Sequence, residues 1–113
     1  MIAEELAKLF PHGHPAFIPM CVAEMELYSA KSYEYTDGGD PMGNFKRVAG
    51  MLAPYTEVTP VGVALVYMSK QLDSAMWMLS QGYEGKLEGV DARLADVGVY
   101  AKLARILHSE VEL

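Results

Sequence analysis

The stretch from Glu88 to Leu107, EGVDARLADVGVYAKLARIL, is the longest clean helical pattern in the chain. At about 100° per residue, Val90, Leu94, Val97, Ala101 and Ala104 repeat as an apolar stripe. Arg93, Asp96 and Tyr100 fall within about 60° of one another, and Glu88 lies about 80° from Asp96. A guanidinium, a carboxylate and a phenol therefore share one edge of a helix that is otherwise core. Gly98 sits mid-helix, where glycine costs about 1 kcal/mol relative to alanine, which suggests close approach of another helix or a ligand. Two readings of the polar edge stand open. In one, Asp96 binds a metal or polarises a ligand and Arg93 meets a phosphate. In the other, Arg93 and Asp96 are an i,i+3 pair on a solvated face.

The same periodicity governs what comes before. Ile2 to Phe10 reads as a short helix stopped by Pro11. PHGHP is a loop in which His12 and His14 lack a third metal ligand nearby. Pro19 suits a first helical position, and the helix runs to about Tyr33 with Met20, Ala23, Leu27 and Ala30 on one stripe and Glu24, Tyr28 and Lys31 on another. YEYTDGGD breaks it. Asp40 then reads as an N-cap and Pro41 as the first residue of a helix, PMGNFKRVAGML, that turns Phe45, Val48, Ala49 and Leu52 inward. Its start, beside Gly38 and Gly39, is a place for a phosphate or simply a capped helix end.

Thr59 and Pro60 open a further helix to about Gln81, with Gly82 at C′. This helix is apolar over most of its circumference, the mark of a central helix or an oligomer interface. Within it Lys70 and Asp73 are i,i+3 neighbours, and Lys70 has Asp73, the last helix or a ligand to pair with. TEVTPVGV is the nearest approach to a strand, but Pro60 and the helical pattern after it argue against one. The expected fold is all-α: an antiparallel helical bundle of four main helices plus a short N-terminal helix, in a single domain spanning 1–113.

Composition narrows the function. Net charge is −6 and no basic run occurs, which argues against nucleic acid as the main partner. One cysteine, Cys21, permits no intrachain disulfide and fits a cytoplasmic location. No apolar run is long enough to span a membrane.

The polar residues also form an ordered series. KSYEY supplies Lys31, Glu34 and Tyr35; GNFKRVA supplies Asn44 and Phe45; SKQLDS supplies Lys70 and Asp73; EGVDARLADVGVY supplies Glu88, Asp91, Arg93, Asp96 and Tyr100. In order and spacing this series resembles a group of small phage and prophage proteins, mostly of unknown function or associated with nucleotide modification. Those proteins are in turn distantly similar to the all-α NTP pyrophosphohydrolases of the MazG type. The likeness covers roughly residues 24–107. It implies a MazG-like bundle, usually oligomeric, in the cytoplasm of a bacterial host, with a site between helices for a nucleotide and Mg²⁺. In MazG-type enzymes, carboxylates on two helices hold Mg²⁺ and an activated water cleaves between the α and β phosphates.

Carried onto this chain, the resemblance makes Glu88, Asp91 and Asp96 metal ligands, and Glu34 and Asp96 catalytic. Lys31, Lys70 and Arg93 contact phosphates, and Tyr35, Asn44 and Tyr100 complete the substrate site. The later carboxylate motif, E-x-x-D, is matched by Glu88 and Asp91. The earlier E-x-x-E is not, because Glu24 and Glu26 are two apart and point to different sides of a helix. Glu24 or Glu34 would have to substitute. Three functions therefore remain: hydrolysis of an NTP to NMP and pyrophosphate, binding of a nucleotide signal without cleavage, and a protein-interaction module acting through its acidic surface.

Overall fold

A computed structural model of the chain describes residues 1–36, 39–85 and 87–111. Among the described residues there are five α-helices and no strand: α1 (Ile2–Leu9), α2 (Phe17–Thr36), α3 (Gly43–Leu52), α4 (Pro60–Gln81) and α5 (Val90–Val111). They fall into two compact units, Met1–Gly38 and Gly39–Leu113.

The first unit holds α1 and α2. Glu4 and Glu5 in the first turn of α1 and Lys8 in the last complement the helix dipole. Phe10 closes the helix by donating its backbone N–H to the Leu6 carbonyl, and Pro11 prevents continuation. Helix α2 begins two residues before Pro19. The proline therefore sits within the first turn, where its missing N–H would have had no helical partner in any case. The turn into α2 is tied by Ala16 N–H donating to His14 Nδ1 at 3.0 Å. At the other end α2 runs past Tyr33 to Thr36, whose hydroxyl bonds the Ser32 carbonyl at 2.7 Å. The residues expected to open a loop, Tyr33 to Thr36, are helical instead.

In the second unit α4 and α5 form an antiparallel hairpin and α3 packs against α4. The direction is set by paired residues: Tyr67 meets Tyr100, and one turn on, Gln71 meets Asp96 and Arg93. The start of α4 is as the sequence indicates. The Thr59 hydroxyl accepts from Gly62 N–H at 3.1 Å and Pro60 follows. The helix ends on Gly82 in the left-handed conformation (φ 59°), with Tyr83 N–H returning to the Met78 carbonyl at 2.9 Å. Helix α5 begins at Val90, not Glu88. Its first free N–H, that of Val90, donates to Glu84 Oε1 at 2.7 Å, so a carboxylate from the connecting segment caps it.

The core of this unit is made by Met42, Phe45 and Ala49 from the α3 region, Val63, Ala64, Ala75 and Met78 from α4, and Leu103, Ala104 and Leu107 from α5. The buried face of α5 is rotated from the expected stripe. Leu94 is 45% exposed and Ala101 is exposed, whereas Leu103 and Leu107 are buried. Tyr100 and Asp96 lie on the same face as these two, which turns the expected polar edge towards α4. Leu52, expected inward on α3, is on the surface.

Candidate ligand site at the α4–α5 seam

Helix α4 presents Ala64, Met68, Gln71, Ala75 and Met78 towards α5, a stripe spaced four, three, four and three residues apart. Gln71 is its one polar member. Its amide Nε2 donates to Asp96 Oδ2 at 3.3 Å, and its Oε1 accepts from Arg93 Nη1 at 2.9 Å. The amide thus bridges an anion and a cation on successive positions of α5, and both bonds are charge-assisted. Arg93 Nη1 also lies 3.7 Å from Glu88 Oε2 just before the helix. Arg93 is 21% exposed, and its Nε is buried without a hydrogen-bond partner among the described residues.

One turn along the seam, Phe45, Tyr67 and Tyr100 form an aromatic cluster that joins all three helices. Their ring centroids are 5.9 to 6.3 Å apart, and Tyr100 meets both neighbours edge-on. Such edge-to-face pairs place a ring's positive rim against a neighbour's negative face. They pack one turn from the Gln71 group.

The structure brings together Glu88, Arg93 and Asp96, with Tyr100 adjacent. It does not add Asp91, which is exposed on the first turn of α5. Lys70 is exposed and makes no ion pair with Asp73 or with α5 among the described residues. Consecutive helical residues point about 100° apart, so Lys70 looks away from the Gln71 bridge. Asn44 is exposed beside buried Phe45. Lys31, Glu34 and Tyr35 belong to the first unit, where they share one face of α2; Lys31 is half-buried, and Glu34 and Tyr35 are exposed.

The start of α3 is not the anion site its sequence suggests. The helix begins at Gly43 rather than Pro41, and Asp40 already places a carboxylate there. Its Oδ1 accepts from Met42 N–H at 2.9 Å and its Oδ2 from Lys46 Nζ at 3.0 Å. An arriving phosphate would meet like charge. Lys46 also reaches Glu110 of α5 at 3.6 Å. The Met42 N–H and then Lys46 hold the Asp40 carboxyl below its ordinary value of 3.8. The hydrogen bond to Asp40 holds Lys46 above its ordinary 10.5. Gly38, part of the same expectation, lies outside the described residues.

Mg²⁺ is usually held by one or two carboxylates together with substrate phosphates. Glu88 lies 3.7 Å from Arg93 and Asp96 accepts from Gln71, so these are the carboxylates that border the Arg93–Gln71 group. Among the described residues no three His, Cys, Asp or Glu side chains gather as a metal group. Gln71 is the participant that sequence reading passes over. Its signal is positional: a lone amide in a stripe whose other members are Ala and Met.

Comparison with family models, with curated proteins and with solved structures gives no match to this chain. Among the described residues no helix is long and apolar enough to cross a membrane.

Proposed function

We propose that this protein binds a nucleotide together with Mg²⁺ at the polar break in the α4–α5 seam. The observation that carries the reading is the Asp96–Gln71–Arg93 bridge, set into a helix interface that is otherwise apolar. An apolar residue at position 71 would pack the seam without polar groups to satisfy, so the bridge makes sense as a device for holding Arg93 and Asp96 in fixed positions. The guanidinium fork suits a phosphate. The carboxylates of Asp96 and Glu88 suit Mg²⁺, which when bound would neutralise phosphate charge. Gln71 holds Asp96 by its N–H and Arg93 by its carbonyl, so neither collapses onto the other. The resemblance to nucleotide-associated phage proteins and, more distantly, to MazG-type pyrophosphohydrolases supports a nucleotide as the anion.

Cleavage to NMP and pyrophosphate needs a further group to position water, a role the resemblance gives to Glu34. Binding needs only the seam, so binding is the function proposed and hydrolysis its extension. The test is a thermal-shift screen of nucleotides with and without Mg²⁺, with product analysis of each hit. A Mg²⁺-dependent rise in melting temperature that Asp96→Asn abolishes is expected, because a ligand that binds the native state raises stability by mass action. No response to any nucleotide would overturn the reading and leave the interaction-module alternative.

A further inference from the structure

The connection between α4 and α5 acts on Arg93 through a single peptide group. The peptide that joins Gly89 to Val90 is bonded at both ends. Its N–H, on Val90, donates to Glu84 Oε1 at 2.7 Å, and its carbonyl, on Gly89, accepts from the Arg93 N–H at 3.2 Å. The second of these bonds closes the first turn of α5, the turn that carries Arg93. Hydrogen bonds in a chain polarise one another, so a carboxylate on the N–H side makes the carbonyl on the other side a stronger acceptor. Glu84 reaches Arg93 by this route alone. Among the described residues it forms no hydrogen bond or ion pair with Arg93 or with Gln71.

The connection is shaped for that approach. A Cβ on Gly89 would take the place of the Glu84 carboxylate, and one on Gly85 would run into the Glu88 carbonyl oxygen and the Met78 side chain. Glycine at both positions lets the chain come this close. Glu88, between them in sequence, brings Oε2 to 3.7 Å from Arg93 Nη1. The backbone of Arg93 and its guanidinium are therefore both tied to the connection, while Gln71 takes the guanidinium from α4.

We infer that Glu84 is a positioning residue for Arg93: through the Gly89–Val90 peptide it fixes the turn from which the guanidinium meets a phosphate. The inference rests on the proposed reading of Arg93 as a phosphate ligand. Its first test needs no ligand. Chemical denaturation, followed by Trp77 fluorescence, of Glu84→Ala, Gln71→Leu and the double variant makes a cycle between two side chains that do not touch. With Arg93 already loosened by Glu84→Ala, Gln71→Leu has less left to lose. The effects on the unfolding constant should fall short of their product by about threefold or more, whereas independent sites agree within about twofold. Glu84→Gln keeps an oxygen acceptor without the charge, and in it Gln71→Leu should cost what it costs in the wild type. Gly89→Ala displaces the carboxylate without removing it and should act as Glu84→Ala does. In titration calorimetry with a nucleoside triphosphate and Mg²⁺, Glu84→Ala should raise Kd several-fold and Glu84→Gln should restore it. An additive cycle overturns the inference, and so does undiminished binding by Glu84→Ala. Absence of binding by the wild type contradicts the nucleotide reading instead, and the cycle still decides whether Glu84 positions Arg93.

Discussion

Replacing Gln71 with leucine removes the bridge and nothing else from the seam. The bond to the Arg93 guanidinium is 2.9 Å and that to the Asp96 carboxylate is 3.3 Å. Hydrogen bonds to charged groups are worth about 1.5–3 kcal/mol, and partial exposure puts the stronger of these at the low end and the longer one below it. The two together come to about 2 kcal/mol. Leucine returns about 1 kcal/mol through apolar burial, so the net loss is about 1 kcal/mol. Trp77 is the only tryptophan and lies in the second unit, so denaturation followed by its fluorescence reports on this seam. A shift of the midpoint to lower denaturant at unchanged slope is expected. The triple variant Gln71→Leu, Arg93→Leu, Asp96→Leu should recover the loss, because apolar replacement of all partners leaves no buried charge unpaired. If Gln71→Leu alone is as stable as the wild type or more so, Gln71 does not hold these side chains.

Two further outcomes test the surroundings of the site. Phe45 is 2% exposed and contacts both seam tyrosines, so Phe45→Ala should cost about 3–5 kcal/mol by chemical denaturation; a loss under half that would show the aromatic cluster to be loosely packed. Asp40 has a lowered pKa in the folded chain, so its contribution to stability is full above its ordinary 3.8 and is lost as pH falls through the depressed value. Lys46 has a raised one, so its contribution is full below 10.5 and is lost as pH rises through the elevated value. Protection factors of amides at the start of α3, taken relative to intrinsic exchange at each pH, should therefore fall at both extremes in the wild type, and an Asp40→Asn, Lys46→Gln variant should show neither fall.

Helix existence was legible because its signals are local. Thr59-Pro60 and Gly82 bracket α4 as read, since an N-cap hydroxyl, a donor-free first residue and a left-handed glycine act within a few residues. The ends that shifted are those decided from further away. Helix α5 is capped by Glu84, six residues before Val90, a contact no spacing rule anticipates. Asp40 does its work through an Asx-type turn to Met42 rather than as the residue next to the helix.

The placing of the candidate residues was legible only in part. Arg93, Asp96 and Tyr100 were read as one edge of a helix, and they do lie together. Their direction was misread because Val90, Leu94 and Ala101 make a stripe of comparable apolarity, and periodicity alone does not choose between two faces. What chose was the partner: α4 packs against Leu103, Ala104 and Leu107, and Gln71 offers Asp96 and Arg93 both a donor and an acceptor. Lys70 drew attention as a charge among apolar residues, but many of those residues are themselves on the surface.

The most direct test is titration calorimetry of a nucleoside triphosphate into the wild type and into Arg93→Ala and Asp96→Asn, each with Mg²⁺ and with EDTA. Saturable binding to the wild type in Mg²⁺, lost in EDTA and lost or strongly weakened in both variants, is the expected result. Binding that is indifferent to Mg²⁺ and to both substitutions, or no binding by any triphosphate, would contradict a nucleotide site at the α4–α5 seam.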